Sequence, residues 1–197
     1  MQLITKVFEH YNHAKKAVAD LEAAGVSSLA ISIVANKKYT EVESEVDIVK
    51  EEATEAGAGA GIGAAAGGAV GLLTGLGLMA IPGVGPVVAA GWLASTALGA
   101  AAGGAAGGIL GSLIGAGVPD EHAHVYSEAL RRGGTLLTVK VEDNMVERTH
   151  AILDRHQPLD PIELGADYRR TGWDKFDPEN DTHATAEAEA SRLRRAS

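Results

Sequence analysis

The chain of 197 residues contains no cysteine. That excludes a disulfide framework, a thiol nucleophile and any metal site built on thiolates. Aromatic residues make up only 4 %, which argues against a large aromatic-walled ligand pocket. A basic surface is also lacking: 17 Lys and Arg face 26 Asp and Glu, for a formal net charge of -9. Nucleic-acid binding, which needs cations to displace the counterions on phosphates, is not expected of such a chain. Met1 to Lys6 shows no basic stretch leading into an apolar run, so no cleaved leader is expected. The last absence is local. Between Ala56 and Pro119 there is no charged residue, and 37 of the 62 positions from 57 to 118 are Gly or Ala.

Charge therefore divides the chain in three: residues 1–56 with 6 positive and 10 negative side chains, residues 57–118 with none, and residues 119–197 with 11 and 16. In the first part Leu3 to Phe8 reads as a strand. Ala14, Ala17, Val18 and Leu21 follow at helical spacing, Gly25 suits a helix stop, and Leu29 to Val34 reads as a second strand. In the third part a helix runs from Pro119 to Arg132 and stops at Gly133-Gly134. Thr135 to Val141 then alternates as a strand. Asp143 suits the N-cap of a helix carrying Val146, Ile152 and Leu153, and Ile162 to Leu164 suits a last strand. The fold class expected is α+β: two split βαβ halves forming a ferredoxin-like sandwich, with a four-stranded antiparallel sheet and helices on one face. A long Gly/Ala-rich antiparallel helical hairpin is inserted between the halves. The divisions are 1–40 for the first half, 41–118 for an amphipathic helix plus the hairpin, 119–164 for the second half, and 165–197 for a polar, largely flexible tail. In that tail Trp173 and Phe176 offer a local anchor, and Ala184 to Ala196 a short marginal helix.

Spacing is the informative feature of the insert. Gly59, Gly63, Gly67, Gly71 and Gly75 recur every four residues, as do Gly99, Gly103, Gly107, Gly111 and Gly115; Gly91 and Ser95 extend the second ladder. Glycine costs a helix in water up to ~1 kcal/mol relative to Ala, so two unbroken ladders call for a compensating contact. Four-residue spacing lines them on one slowly drifting helix face. Two backbones can then approach closely, with dispersion and Cα–H···O contacts in place of side-chain burial. A flexible linker has no reason to keep that period. The hairpin turn falls at Ile81-Pro82-Gly83-Val84-Gly85-Pro86, with Pro82, Gly83, Gly85 and Pro86 as the turn residues. Helix one is expected over 56–80 and helix two over 87–117. A turn between Gly83 and Val84 sets facing positions whose numbers sum to about 167, counted along the chain: Gly59 beside Gly108, Gly67 beside Ala100, Gly75 beside Trp92. The bulky residues Leu78, Met79, Ile81, Val87 and Val88 would gather at the tip. Both helices are long enough to span a bilayer. Yet Gly and Ala contribute little to insertion, and the acidic flanks, Glu51, Glu52 and Glu55 before and Asp120 and Glu121 after, give no positive-inside signal. A dense homo-oligomer would bury the same surface.

The stretch Ala17-Val18-Ala19-Asp20-Leu21-Glu22-Ala23-Ala24-Gly25-Val26 resembles the YflT-type general stress protein domain of bacteria. The IPGVGP turn between Gly/Ala segments, and Gly117-Val118-Pro119-Asp120-Glu121 leading to Arg132-Gly133-Gly134-Thr135-Leu136, resemble glycine-zipper members of that group. The resemblance covers about residues 3–164. It implies a bacterial, stress-linked context and carries over no catalytic residue.

Residue chemistry points to no reaction. His122 and His124 lie roughly 200° apart on a helix, His150 and His156 also diverge, and no spacing matches a ligand pattern. Gly59 to Gly63 lacks the Gly-Lys-Ser/Thr of a phosphate loop. Arg131 and Arg132 read as a solvated helix end, and no Ser/His/Asp set has a supporting motif. The expectation is a protein that is no enzyme, without metal, cofactor, small-molecule substrate or nucleic acid. It would associate with itself through the ladders and with a lipid bilayer, placed at the bacterial inner membrane with its α/β domain on the cytoplasmic side. The alternative is a soluble cytoplasmic particle whose hairpins share one core.

Overall fold

The computed structural model describes residues 1–36, 77–81, 83–93 and 108–178. Within them the order is β1 (Gln2–Phe8), α1 (Tyr11–Ala23), β2 (Ile31–Asn36), β3 (Gly77–Ile81), β4 (Gly85–Gly91), α2 (Gly108–Gly115), α3 (Asp120–Arg131), β5 (Thr135–Val141), α4 (Val146–Asp154) and α5 (Pro161–Arg170). The five strands form one sheet in the order β1-β5-β2-β4-β3, and every neighbouring pair is antiparallel.

Local chemistry explains most boundaries. Ala14, Ala17, Val18 and Leu21 form the buried stripe of α1. Gly25 ends that helix region at φ +94, a conformation that side chains disfavour. Helix α3 begins behind Pro119, with Asp120 and Glu121 at its positive end. Gly133 at φ +103 turns the chain from α3 into β5. The N-cap of α5 is Asp160, whose Oδ1 accepts from the amides of Ile162 at 2.7 Å and Glu163 at 3.2 Å.

The sheet is interleaved, as two split βαβ halves require. Strand β5 sits between β1 and β2, and β2 sits between β5 and β4. The ferredoxin-like reading is nevertheless corrected in two ways. The sheet has five strands rather than four, and helices cover both of its faces. Helices α1 and α4 pack on Ile4, Phe8, Ile31, Ile33, Leu137 and Val139. Helices α2 and α3 pack on Val7, Val34, Val87, Ala89 and Leu136. In a ferredoxin-like sandwich both crossover helices share one face; here α1 and α3 lie on opposite faces. Strand β2 is accordingly buried along its whole length. The expected open face rested on Ser32, Thr138 and Lys140. In the structure Ser32 is buried and its hydroxyl donates to the Ala90 carbonyl at 2.8 Å, while Lys140 lies 3.5 Å from the centre of the Trp92 ring.

The expected helical hairpin is corrected at its tip. Residues 77–81 and 85–91 are strands of the sheet, not helix ends. The turn itself stands where expected: the Val84 amide donates to the Ile81 carbonyl at 3.0 Å, and Gly83 takes φ +76. The composition of the arms decides for strand. Val84, Val87 and Val88 are β-branched and favour the extended backbone. The antiparallel register survives the change of element, since Gly77 stands opposite Ala89 and Ile81 opposite Gly85.

Three smaller expectations also differ. Residues 162–164 lie in α5 and not in a strand. Asp143 opens a short 3-10 turn ahead of α4 and makes no side-chain cap. The tail is ordered well past residue 165, with Phe176 buried in the second core and Trp173 packed edge-on to Tyr168 at 5.7 Å. The short helix expected over 184–196 lies outside the described residues.

Candidate functional site

Of the ladder residues, Gly59, Gly63, Gly67, Gly71, Gly75, Ser95, Gly99, Gly103 and Gly107 lie outside the described residues, as does Pro82 of the turn. Three ladder positions are described. Gly91 is corrected from a helix to the end of β4, opposite Ser32. At φ +90, an added Cβ there would meet the Ile31 carbonyl oxygen at 2.2 Å. This glycine serves close strand approach, not helix packing. Gly111 and Gly115 do lie on a helix, α2, but a Cβ on Gly115 would find nothing within 4 Å. Gly85 enters β4 at φ +92, and Pro86 follows it inside the strand.

The polar chemistry that the structure gathers is elsewhere. At one end of the sheet the last residue of β2, the 83–84 turn, the C-terminus of α3 and the tail converge. Glu128 is fully buried. Its carboxylate is held by the Arg131 guanidinium and by Arg132 Nε at 2.6 Å. Arg131 also lies over the Phe176 ring at 5.4 Å, and Arg132 over the Tyr168 ring at 4.2 Å. Burial is the main cause that pushes the Tyr168 phenol up to about 12; Arg132 opposes it, and Glu128 and Asp167 add to it. The buried Asn36 amide donates to the carbonyls of Val84 at 3.1 Å, Leu130 at 3.2 Å and Arg131 at 3.4 Å. It thereby ties the strand hairpin to the carbonyls at the end of α3. The Glu128 carboxylate and the Asn36 amide are both matched by groups from other segments or turns, so the cluster acts as a clamp.

Sequence reasoning read Arg131 and Arg132 as solvated and passed over Glu128 and Asn36. A signal was present for the first: Glu128 precedes the arginines by three and four residues, the helical spacing for an ion pair. Asn36 carried no local signal, because its three acceptors come from residues 84 to 131.

His10 and His13 meet edge-on with ring centres 5.6 Å apart, and two other histidines pair with carboxylates. His124 pairs with Asp120 at 3.8 Å, and His156 Nε2 lies 2.9 Å from Asp20 Oδ2. Among the described residues, no three His, Asp or Glu side chains group as a metal site. A surface depression of about 520 Å³ lies between α1 and α4, lined by Asp20, Ala23, Ala24, Arg148, Ala151, Ile152 and Arg155. It is open, floored by alanines and lacks a nucleophile. No helix among the described residues is long and apolar enough to cross a membrane. No protein-family model, curated protein or solved structure matches the chain.

Proposed function

We propose that this chain is a non-enzymatic protein that associates with copies of itself through its small-residue ladders. The observation that carries the reading is the pairing of β3 with β4. Gly77 stands opposite Ala89, so the chain enters β3 and leaves β4 at the same end of the sheet, and the two small-residue stretches attach to neighbouring antiparallel strands. The α/β body would then act as the holder from which both uncharged stretches depart. A bacterial stress role rests on the family resemblance alone.

The same topology favours the shared-core assembly over a membrane-spanning hairpin. Residues 36 and 77 belong to one sheet, hence to one side of any bilayer. The uncharged part between them, residues 57–76, has the ~20 residues of a single crossing, whereas a return to the same side needs two. A second reading, attachment to a bilayer surface, is favoured by the absence of charge in that stretch.

Gly67→Leu and Gly107→Leu test the proposal. Each inserts four carbons where the ladder reading leaves room for hydrogen, and overpacking costs about 1–3 kcal/mol in an ordinary core. Light scattering in detergent-free buffer is expected to show a large particle for the parent chain and smaller species for both variants, with Gly68→Leu milder. Unchanged particle size in all three would overturn the ladder reading. Flotation with liposomes decides the second reading: protein left wholly at the bottom of the gradient removes it.

A further inference from the structure

The sheet has two edges, β1 and β3, and they are finished differently. The outer side of β1 is closed by an antiparallel bridge, in which the Leu159 amide donates to the Val7 carbonyl at 2.7 Å. The same strand carries Lys6, paired with Asp154 at 3.0 Å, and its start carries the terminal amine, 3.6 Å from Asp143. Covering segments and inward charges are the devices by which proteins protect a sheet edge from further pairing.

Strand β3 has none of these among the described residues. Its sequence, Gly77-Leu78-Met79-Ala80-Ile81, holds no charge and no proline, and among the described residues it pairs only with β4. The side away from β4 also has a defined hydrogen-bonding phase. Pro86 has no N–H, and it stands opposite Ala80. Antiparallel ladders alternate pairs that exchange two hydrogen bonds with pairs that exchange none, and a prolyl suits the second kind. Ala80, and Leu78 two residues earlier, therefore turn their N–H and C=O groups away from β4.

We propose that this edge is a docking strand for β3 of a second copy, antiparallel about a two-fold axis at Met79, so that two five-stranded sheets join into one. The inference rests on the self-association reading and names a second surface for it. The occupant follows from the edge itself. With the axis at Met79, Leu78 and Ala80 of each copy exchange hydrogen bonds with Ala80 and Leu78 of the other. An uncharged strand meets its copy without like-charge repulsion, whereas two copies of β1 would oppose their lysines. Met79 then faces its counterpart as a non-hydrogen-bonded pair, with Cα atoms about 4.5 Å apart, inside the range a disulfide spans.

The absence of native cysteine makes the test direct. Met79→Cys in the full chain, oxidised at micromolar concentration, is expected to give a covalent dimer in high yield. Gly77→Cys and Ile81→Cys should stay monomeric alone and cross-link with each other when mixed. Adding Ala80→Pro to Met79→Cys removes an outward N–H, and should cut the dimer yield about ten-fold, the equivalent of roughly 1.4 kcal/mol. A folded Met79→Cys protein that forms no dimer overturns the proposal, whether its thiol reacts with a maleimide or not. Equal cross-linking at all positions from 77 to 81 overturns it too, because that is collision without register. The two readings fail separately. If Gly67→Leu and Gly107→Leu leave particle size unchanged while the Met79→Cys protein still cross-links, the ladder reading falls and the edge stands. If those variants dissociate the particle while the Met79→Cys protein stays unlinked, the reverse holds.

Discussion

The two faces of the sheet are buried with different chemistry. Under α1 and α4 the core is aliphatic and aromatic, from Ile4 and Phe8 through Leu137 and Val139 to Leu153. Its fully buried polar groups are threonine hydroxyls, as at Thr135 and Thr149. Under α2 and α3 an apolar core of similar size borders a fully buried carboxylate, a nearly buried guanidinium and a buried amide: Glu128, Arg131 and Asn36. The first face joins elements by burial, which is non-directional. The second also fixes which carbonyl each segment presents to which donor. Four segments distant in sequence meet there, and directional contacts specify their arrangement where apolar surface alone would admit several. The difference teaches that the strand hairpin, joined to the body by pairing with β2 and by apolar burial, has its turn fixed in addition by the directional Asn36 contact.

The sharpest way to break that contrast is Glu128→Leu. It leaves Arg131 buried beside Phe176 without its carboxylate, and removing one partner of a buried pair costs about 3–5 kcal/mol. The check is the urea midpoint of unfolding. Because most of that loss is the stranded charge, the double variant Glu128→Leu with Arg131→Met should recover much of it. A double variant as unstable as the single one would show that the pair holds the segments by more than mutual neutralisation.

On the other face Leu137→Ala is the matched measurement. Leu137 is fully buried among apolar neighbours, and truncation removes transfer energy and leaves a cavity, for about 2–5 kcal/mol. No second substitution that merely deletes a partner should restore it, since no partner is left charged. Rescue of Glu128→Leu by a deletion, and none for Leu137→Ala, is the expected difference between the faces.

How much of this was legible in the sequence follows the same division. The α1 stripe, the Gly25 stop, strand β5 and helix α3 could be read from residues within a few positions of one another, and all stand close to where the pattern put them. Contacts made at long range were not legible. The valines of 84–88 pointed to a strand, but the glycine period on either side outweighed them in the reading. The antiparallel register was recovered even so: the expected pairs sum to about 167, and Gly77 opposite Ala89 fits that alignment within one residue. Ser32 and Thr138 passed for a solvent face because a hydroxyl reads as polar whether or not a helix covers it. Asn36 and Glu128 carry meaning only once residues 84 to 131 have been folded against them.

The smallest expected effect, and the one that reports on the second face without disrupting it, is the response of Tyr126 to alkali. Its ring is buried between α3 and the sheet, and its hydroxyl donates to the Thr5 carbonyl at 3.2 Å. Burial, and after it the Asp160 carboxylate, pushes this phenol up from 10.0 to about 12. The folded state therefore keeps a proton that the unfolded chain has released. Below pH 10 both states hold it, and the contribution is constant. Between pH 10 and 12 the folded state binds more protons, so stability falls as pH rises through that window, by at most ~1.4 kcal/mol per pH unit for one such group. Tyr126→Phe removes this share of the slope. It also removes the hydrogen bond to Thr5, which lowers stability at neutral pH by about 1 kcal/mol. Urea midpoints measured from pH 8 to 12 should consequently start higher for the parent chain, draw together as pH rises, and cross before pH 12. Parallel curves would place the Tyr126 hydroxyl in contact with water, and with it the edge of the polar face.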